Sequence, residues 1–122
     1  MLVDDNEMFI RLVTRFLNQS PANLRVVASC TEGRLAPQRV RRLQPDLVLL
    51  DLAMPDMHGL IVLARLRVEF PRLPVVVLSL MSTTFYSNTV MEKGACGFVD
   101  KATMYADLIP VINRAMVTAG QN

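Results

Sequence analysis

Two stretches of the chain are apolar at every position rather than at alternate ones. Residues 47–50 run into Asp51 in DLVLLD, and residues 75–78 run into Ser79 in PVVVLS. A strand with one wet face alternates polar and apolar side chains, whereas a strand apolar throughout must be covered on both faces. These runs therefore require a sheet with helices on either side. They also end in polar groups, and a carboxylate at the end of a buried strand costs free energy unless something pairs it or uses it.

The remaining segments supply the covering helices. In EMFIRLVTRFLNQ, Phe9, Leu12, Val13, Phe16 and Leu17 recur at the three-four spacing of one helical face. Asn6 or Asp5 can cap that helix, and Ser20-Pro21 stops it. LRVVASC reads as a strand, and TEGRLAPQRVRRLQ as a weaker helix with Pro37 in its first turn. LIVLARLRVEF is a helix that begins after Gly59, and TTFYSNTVMEKG is one with Gly94 near its end. CGFVD is a fifth strand, and YADLIPVINRAMVTAG a last helix with Leu108, Ile112, Ala115 and Met116 on one stripe. A proline inside a helix costs about 3 kcal/mol. Pro110 therefore predicts that this helix starts near Asp107. The sum is five β-α units forming a parallel sheet covered on both faces, with MLV as a short first strand.

Composition narrows the classes further. The 122 residues fit one domain, and 52% hydrophobic residues exclude a disordered chain. No apolar run approaches a membrane span, and the acidic start MLVDDNEMF lacks the basic region of a secretory signal. The arginines at 34, 39, 41, 42, 65, 67 and 72 cluster, but the net charge is only +2 and no aromatics are interleaved. They read as a solvated helix face rather than a nucleic-acid surface. Cys30 and Cys96 match no metal or redox spacing and read as reduced core thiols. His58, next to Gly59, reads as a turn residue.

In open parallel sheets, ligands bind beyond the carboxyl ends of the strands. The residues there are Asp4 and Asp5, Asp51, Ser79, and Asp100 and Lys101. Three carboxylates brought to one edge either need a cation or serve as helix caps and partners of Lys101. Oxygen ligands favour a hard ion such as Mg²⁺. A carboxylate nucleophile, a hard cation and an anion clamp are the parts of phosphoryl transfer to aspartate.

The ordered motifs LVDD, LLDLAMPDMHGL, PVVVLS and GACGFVDK resemble the receiver domain of two-component response regulators over essentially the whole chain, residues 1–122. The segment GFVDKATMYADLIPVINRAMVTAG, with Ala102 where many receivers have proline, is similar to the NarL/FixJ-type branch. The resemblance implies a flavodoxin-like (βα)5 doubly wound sandwich with strand order 2-1-3-4-5 and a truncated first strand. It implies a single receiver domain, with no output domain in residues 1–122, that accepts a phosphoryl group rather than turning over a substrate. Asp51 would be the phosphoacceptor for a histidine kinase, and Asp4, Asp5, Asp51 and the Ala53 carbonyl would hold Mg²⁺. Ser79 and Lys101 would bind the phosphoryl group. Ser79 and Phe98 would form the switch, and Pro55 and Gly59 would shape the loop. Ala53, Leu80 and Met81 stand at positions that tune water access in this family, and the bulk of Leu80, where the family usually has a small residue, implies slow dephosphorylation. The implied setting is cytoplasmic transcription regulation, with no membrane and no direct contact to nucleic acid, and with an apolar face on the last two units suited to a homodimer. The competing reading is a pseudo-receiver, a binding module of the same fold that is not phosphorylated. A phosphohydrolase ranks lower, because Ala53 stands where its second acid would be.

Overall fold

The computed structural model describes residues 1–80 and 84–120. Five parallel strands form one sheet: β1 (Leu2–Val3), β2 (Ser29–Cys30), β3 (Val48–Leu50), β4 (Val75–Ser79) and β5 (Gly97–Asp100), in the order β2-β1-β3-β4-β5. The intervening helices are α1 (Glu7–Asn18), α2 (Ala36–Leu43), α3 (Gly59–Glu69), α4 (Thr84–Glu92) and α5 (Met104–Gly120). This is the flavodoxin-like sandwich implied by the resemblance, and the first strand is short.

The apolar strands are shared between two cores with a period of two. Leu2, Leu49, Val76, Leu78 and Val99 pack with Ile10, Val13 and Leu17 of α1 and with Met104, Leu108, Ile112 and Ala115 of α5. Val3, Val48, Leu50, Val75 and Val77 face the other way, against Val40 of α2, Val62, Leu63 and Leu66 of α3, and Val90 of α4. Register carries this alternation across the sheet, with Val3 opposite Leu50 and Leu50 opposite Val77. Full burial of each such side chain contributes about 1.5–3 kcal/mol, which is why both runs are apolar at every position.

Local signals set the element ends. The Asn6 side chain accepts from the Phe9 amide at 3.0 Å and starts α1. Pro37 lies in the first turn of α2, as expected. Gly94 follows α4 with φ of +104°, a conformation that glycine adopts without strain.

Three expectations are corrected. The strand foreseen in LRVVASC pairs only at Ser29 and Cys30, because its neighbour β1 offers only Leu2 and Val3; the Val26 amide turns instead to the Asn18 side chain at 3.0 Å. The last helix does not start at Asp107: it begins at Met104 and keeps Pro110 inside it. The extra turn carries Met104, which is buried, and Pro110 lies on the exposed face, where water can satisfy the unpaired carbonyl. Met116 stands at the edge of the buried stripe, 37% exposed.

At the opposite edge of the sheet, the Met1 amine donates to the Leu47 carbonyl at 2.9 Å, and burial pushes its pKa down to about 6. Among the described residues, no helix is long and apolar enough to cross a membrane.

Candidate functional site

β1 and β3 run side by side, so the residues that follow them leave the sheet together. The Asp51 amide bonds the Val3 carbonyl at 2.9 Å, and the Asp4 amide bonds the Cys30 carbonyl at 3.0 Å. Asp4 and Asp51 are both buried, while Asp5 is exposed at the rim. Each of the three offers a carboxylate oxygen, and these oxygens lie within 4.8 Å of one another. Ser79 closes β4, 1% exposed, opposite Asp100 in register. Lys101 follows β5 and reaches back across the edge. Its Nζ donates to Asp4 Oδ2 at 2.8 Å and lies 3.7 Å from Asp51 Oδ2.

The electrostatics of Asp51 follow from this crowding. Burial raises its carboxyl above the usual range, the neighbouring Asp4 raises it further, and Lys101 together with the Ala53 amide offsets part of the rise. Of its hydrogen bonds, that from the Ala53 amide to Oδ1 is long, at 3.4 Å. Asp51 thus ends a buried strand as an under-solvated carboxylate with two acids nearby. Asp4 is better held, since its Oδ1 accepts from the Asn6 amide at 2.9 Å while Oδ2 takes Lys101.

The donor set suits a hard divalent cation. Three carboxylates that converge with one ammonium leave a negative excess, and carboxylate and carbonyl oxygen is the chemistry Mg²⁺ prefers.

Most of the site residues expected from the sequence lie at this edge. Asp4, Asp5, Asp51 and Lys101 come together, and Ser79 ends the adjacent strand. Ala53 follows Asp51 on an exposed turn, and Leu80 is 72% exposed. Met81 lies outside the described residues. Phe98 is half-buried on β5, in a recess of about 420 Å³ lined also by Met91, Cys96 and Val111. Cys30 and Cys96 are free thiols.

Other roles were not foreseen. Lys101 Nζ stands 4.0 Å above the ring of Phe9, whose spacing assigned it only to a core face. His58 is the N-cap of α3, its Nδ1 accepting from the Leu60 amide at 3.1 Å. Histidine is not among the preferred caps, so no ordinary sequence signal marks it. Asp56 accepts from the amides of Gly33 and Arg34, both at 3.1 Å. No local pattern joins residues so far apart in the chain. Among the arginines, Arg34 pairs with Glu32 and Arg41 with Glu69.

The fold and the acidic strand-end pocket define a class, the open α/β sheet with an acidic carboxyl edge. Residues 1–113 match the family model of the response regulator receiver domain, and the chain belongs to that family. It is 33% identical over 103 residues to a protein-glutamate methylesterase/protein-glutamine glutaminase of Treponema denticola, covering 83% of this chain and 27% of that protein. It is 30% identical over 115 residues to the DNA-binding transcriptional activator EvgA of Escherichia coli, covering 94% of this chain and 55% of EvgA. The chain thus spans roughly a quarter to a half of these relatives' lengths. Among solved structures, a LuxR-family two-component response regulator of Aurantimonas sp. superposes with a TM-score of 0.90 at 24% identity, covering 97% of this chain and 84% of that one. The receiver domain of NtrX from Brucella abortus does so at 0.83 and 28% identity, covering 96% and 97%.

Proposed function

We propose that the chain is a phosphoacceptor switch in which Asp51 takes a phosphoryl group from a kinase histidine. The convergence of Asp4, Asp5 and Asp51, with Lys101 bridging Asp4 toward Asp51, is the observation that carries this reading. An Asp51 carboxylate oxygen attacks phosphorus; the P–O bond forms as the P–N bond to the histidine breaks, and the imidazole leaves with the electron pair. Asp4, Asp5, Asp51 and the Ala53 carbonyl would hold Mg²⁺, which supplies positive charge against the phosphoryl oxygens. Lys101 releases part of its hold on Asp4 to meet the added negative charge, and Ser79 donates a hydrogen bond to a phosphoryl oxygen. Movement of Ser79 frees room for Phe98 to turn inward, and α4, β5 and α5 repack as a shift between two states.

Family membership and the EvgA relative support a cytoplasmic output through transcription, by way of an attached or partner domain. Residues 1–122 supply the receiver. Met91 of α4 and Val111 of α5, which line one recess, offer an apolar face to a second copy. Ala53, Leu80 and Met81 tune water access, and Leu80 screens the phosphoryl group from in-line attack. Leu80→Ala is expected to shorten the phosphoryl lifetime severalfold; a lifetime unchanged or longer removes Leu80 from this role.

The competing pseudo-receiver reading draws on one observation, the two-residue β1 that carries Asp4 and Asp5. Intact mass after incubation with a small-molecule phosphodonor separates the two. The expected result is a gain of one phosphoryl mass that requires Mg²⁺ and is lost in base. A folded protein that gains no mass under conditions that label other receivers decides for the pseudo-receiver.

A further inference from the structure

The loop between β3 and α3, residues 51–58, begins at Asp51 and carries Ala53 on an exposed turn. Its middle is held by the β2–α2 connection, on the same side of the sheet as α3, where the turn before α2 contains Gly33 and Arg34. Both oxygens of Asp56 are spent there, Oδ1 on the Gly33 amide and Oδ2 on the Arg34 amide, each at 3.1 Å. The loop also lies directly on Gly33. A Cβ built at that position would meet the Met54 methyl at 2.9 Å, Val62 Cγ2 at 2.8 Å and the Met57 carbonyl at 3.4 Å. Met54, adjacent to Ala53, is itself buried.

We propose that Asp56 is a positioning residue for the cation site: by clamping the loop to the Gly33–Arg34 turn, it fixes the Ala53 carbonyl beside the three carboxylates. The inference rests on the phosphoacceptor reading and names a determinant that touches neither metal nor phosphoryl group. The contacts divide the labour. Met54 and Met57 set how far the loop stands from the turn, and the two charge-assisted bonds of Asp56 set where along it the loop sits. These bonds hold the Asp56 carboxyl below its ordinary range, that from Arg34 most strongly, so the clamp is ionised at neutral pH. Outer-shell partners of this kind commonly alter metal affinity by about tenfold or more when removed.

The test is a Mg²⁺ titration of the intact chain followed by amide NMR, with Asp56→Ala and Asp56→Asn beside the wild type. Asp56 is exposed, so both variants should fold. The expected result is Mg²⁺ affinity lower by about tenfold in Asp56→Ala, with Asp56→Asn recovering part of it because its amide oxygen can still accept one of the two bonds. Unchanged Mg²⁺ affinity in Asp56→Ala, even with a lowered Tm, overturns the proposal and leaves Asp56 a purely structural cap. Equal loss in both variants overturns the clamp geometry. If the wild type itself takes no Mg²⁺, the phosphoacceptor reading falls first, and the clamp with it.

Discussion

Asp51→Asn will abolish phosphoryl incorporation and, in the absence of Mg²⁺, will make the protein more stable than the wild type. The two effects share one cause. The Asp51 carboxyl is raised above its ordinary range first by burial and then by Asp4. A carboxyl whose folded pKa lies above its unfolded one contributes full stability below the unfolded pKa and loses it as pH rises through the folded one. At neutral pH the ionised Asp51 is therefore a net cost. An amide removes that charge and can keep the acceptor facing the Ala53 amide. Lys101 keeps its closer partner, Asp4 at 2.8 Å. Relief of buried like charge of this kind stabilises by about 0.5–2 kcal/mol. For a chain of this size, each kcal/mol raises Tm by about 3–6 °C. On the phosphoacceptor reading, saturating Mg²⁺ is expected to reverse the order, because it would bind and stabilise the wild type and find an incomplete ligand set in the variant. Melts at pH 7 with chelator and with Mg²⁺, read beside intact mass, check both halves. A variant less stable than the wild type in chelator would show that Asp51 is held by favourable pairing rather than kept against a cost.

The parts of this site legible in the sequence are those that strand order alone brings together. Once residues 47–50 and 75–78 are read as covered parallel strands, Asp51 and Ser79 must lie at one edge, and so must Asp4, Asp5 and Lys101. What escaped were the connections made by chain segments without a period. Asp56 meets Gly33 across the chain through a loop, and Lys101 settles over Phe9 because the start of α1 passes beneath the edge. Periodicity assigns Phe9 to a core face and has no means of seeing a cation above its ring. Pro110 misled for a different reason. Its local cost of about 3 kcal/mol argued for a helix starting at Asp107, yet burial of Met104 in the added turn recovers much of it, and the proline faces water. LRVVASC has strand propensity along its length, but a strand extends only as far as its neighbour does, and β1 is two residues long.

Gly59→Ala will cost about 3 kcal/mol or more and lower Tm by about 10 °C or more. Gly59 opens α3 directly behind the end of β3, its amide donating to the Leu52 carbonyl at 2.8 Å. A methyl group there would stand 2.6 Å from the Asp51 carbonyl oxygen and collide with the Leu52 Cα. Both obstacles are backbone, so no rotamer change relieves them; either α3 moves outward or Asp51 and Leu52 move into the site. Gly94→Ala is the control. It too strains the chain, through its φ of +104°, but its methyl meets only the flexible Arg67 side chain, away from the carboxylates. The two variants should therefore both melt early and yet differ in chemistry. At a temperature where both are folded, Gly94→Ala should take up a phosphoryl group at close to the wild-type rate, while Gly59→Ala should be slowed by tenfold or more, because the reacting carboxylate has been displaced with its own backbone. Equal rates in the two would mean that α3 yields and the strand end does not, placing the rigidity of the site in β3 rather than in the glycine contact.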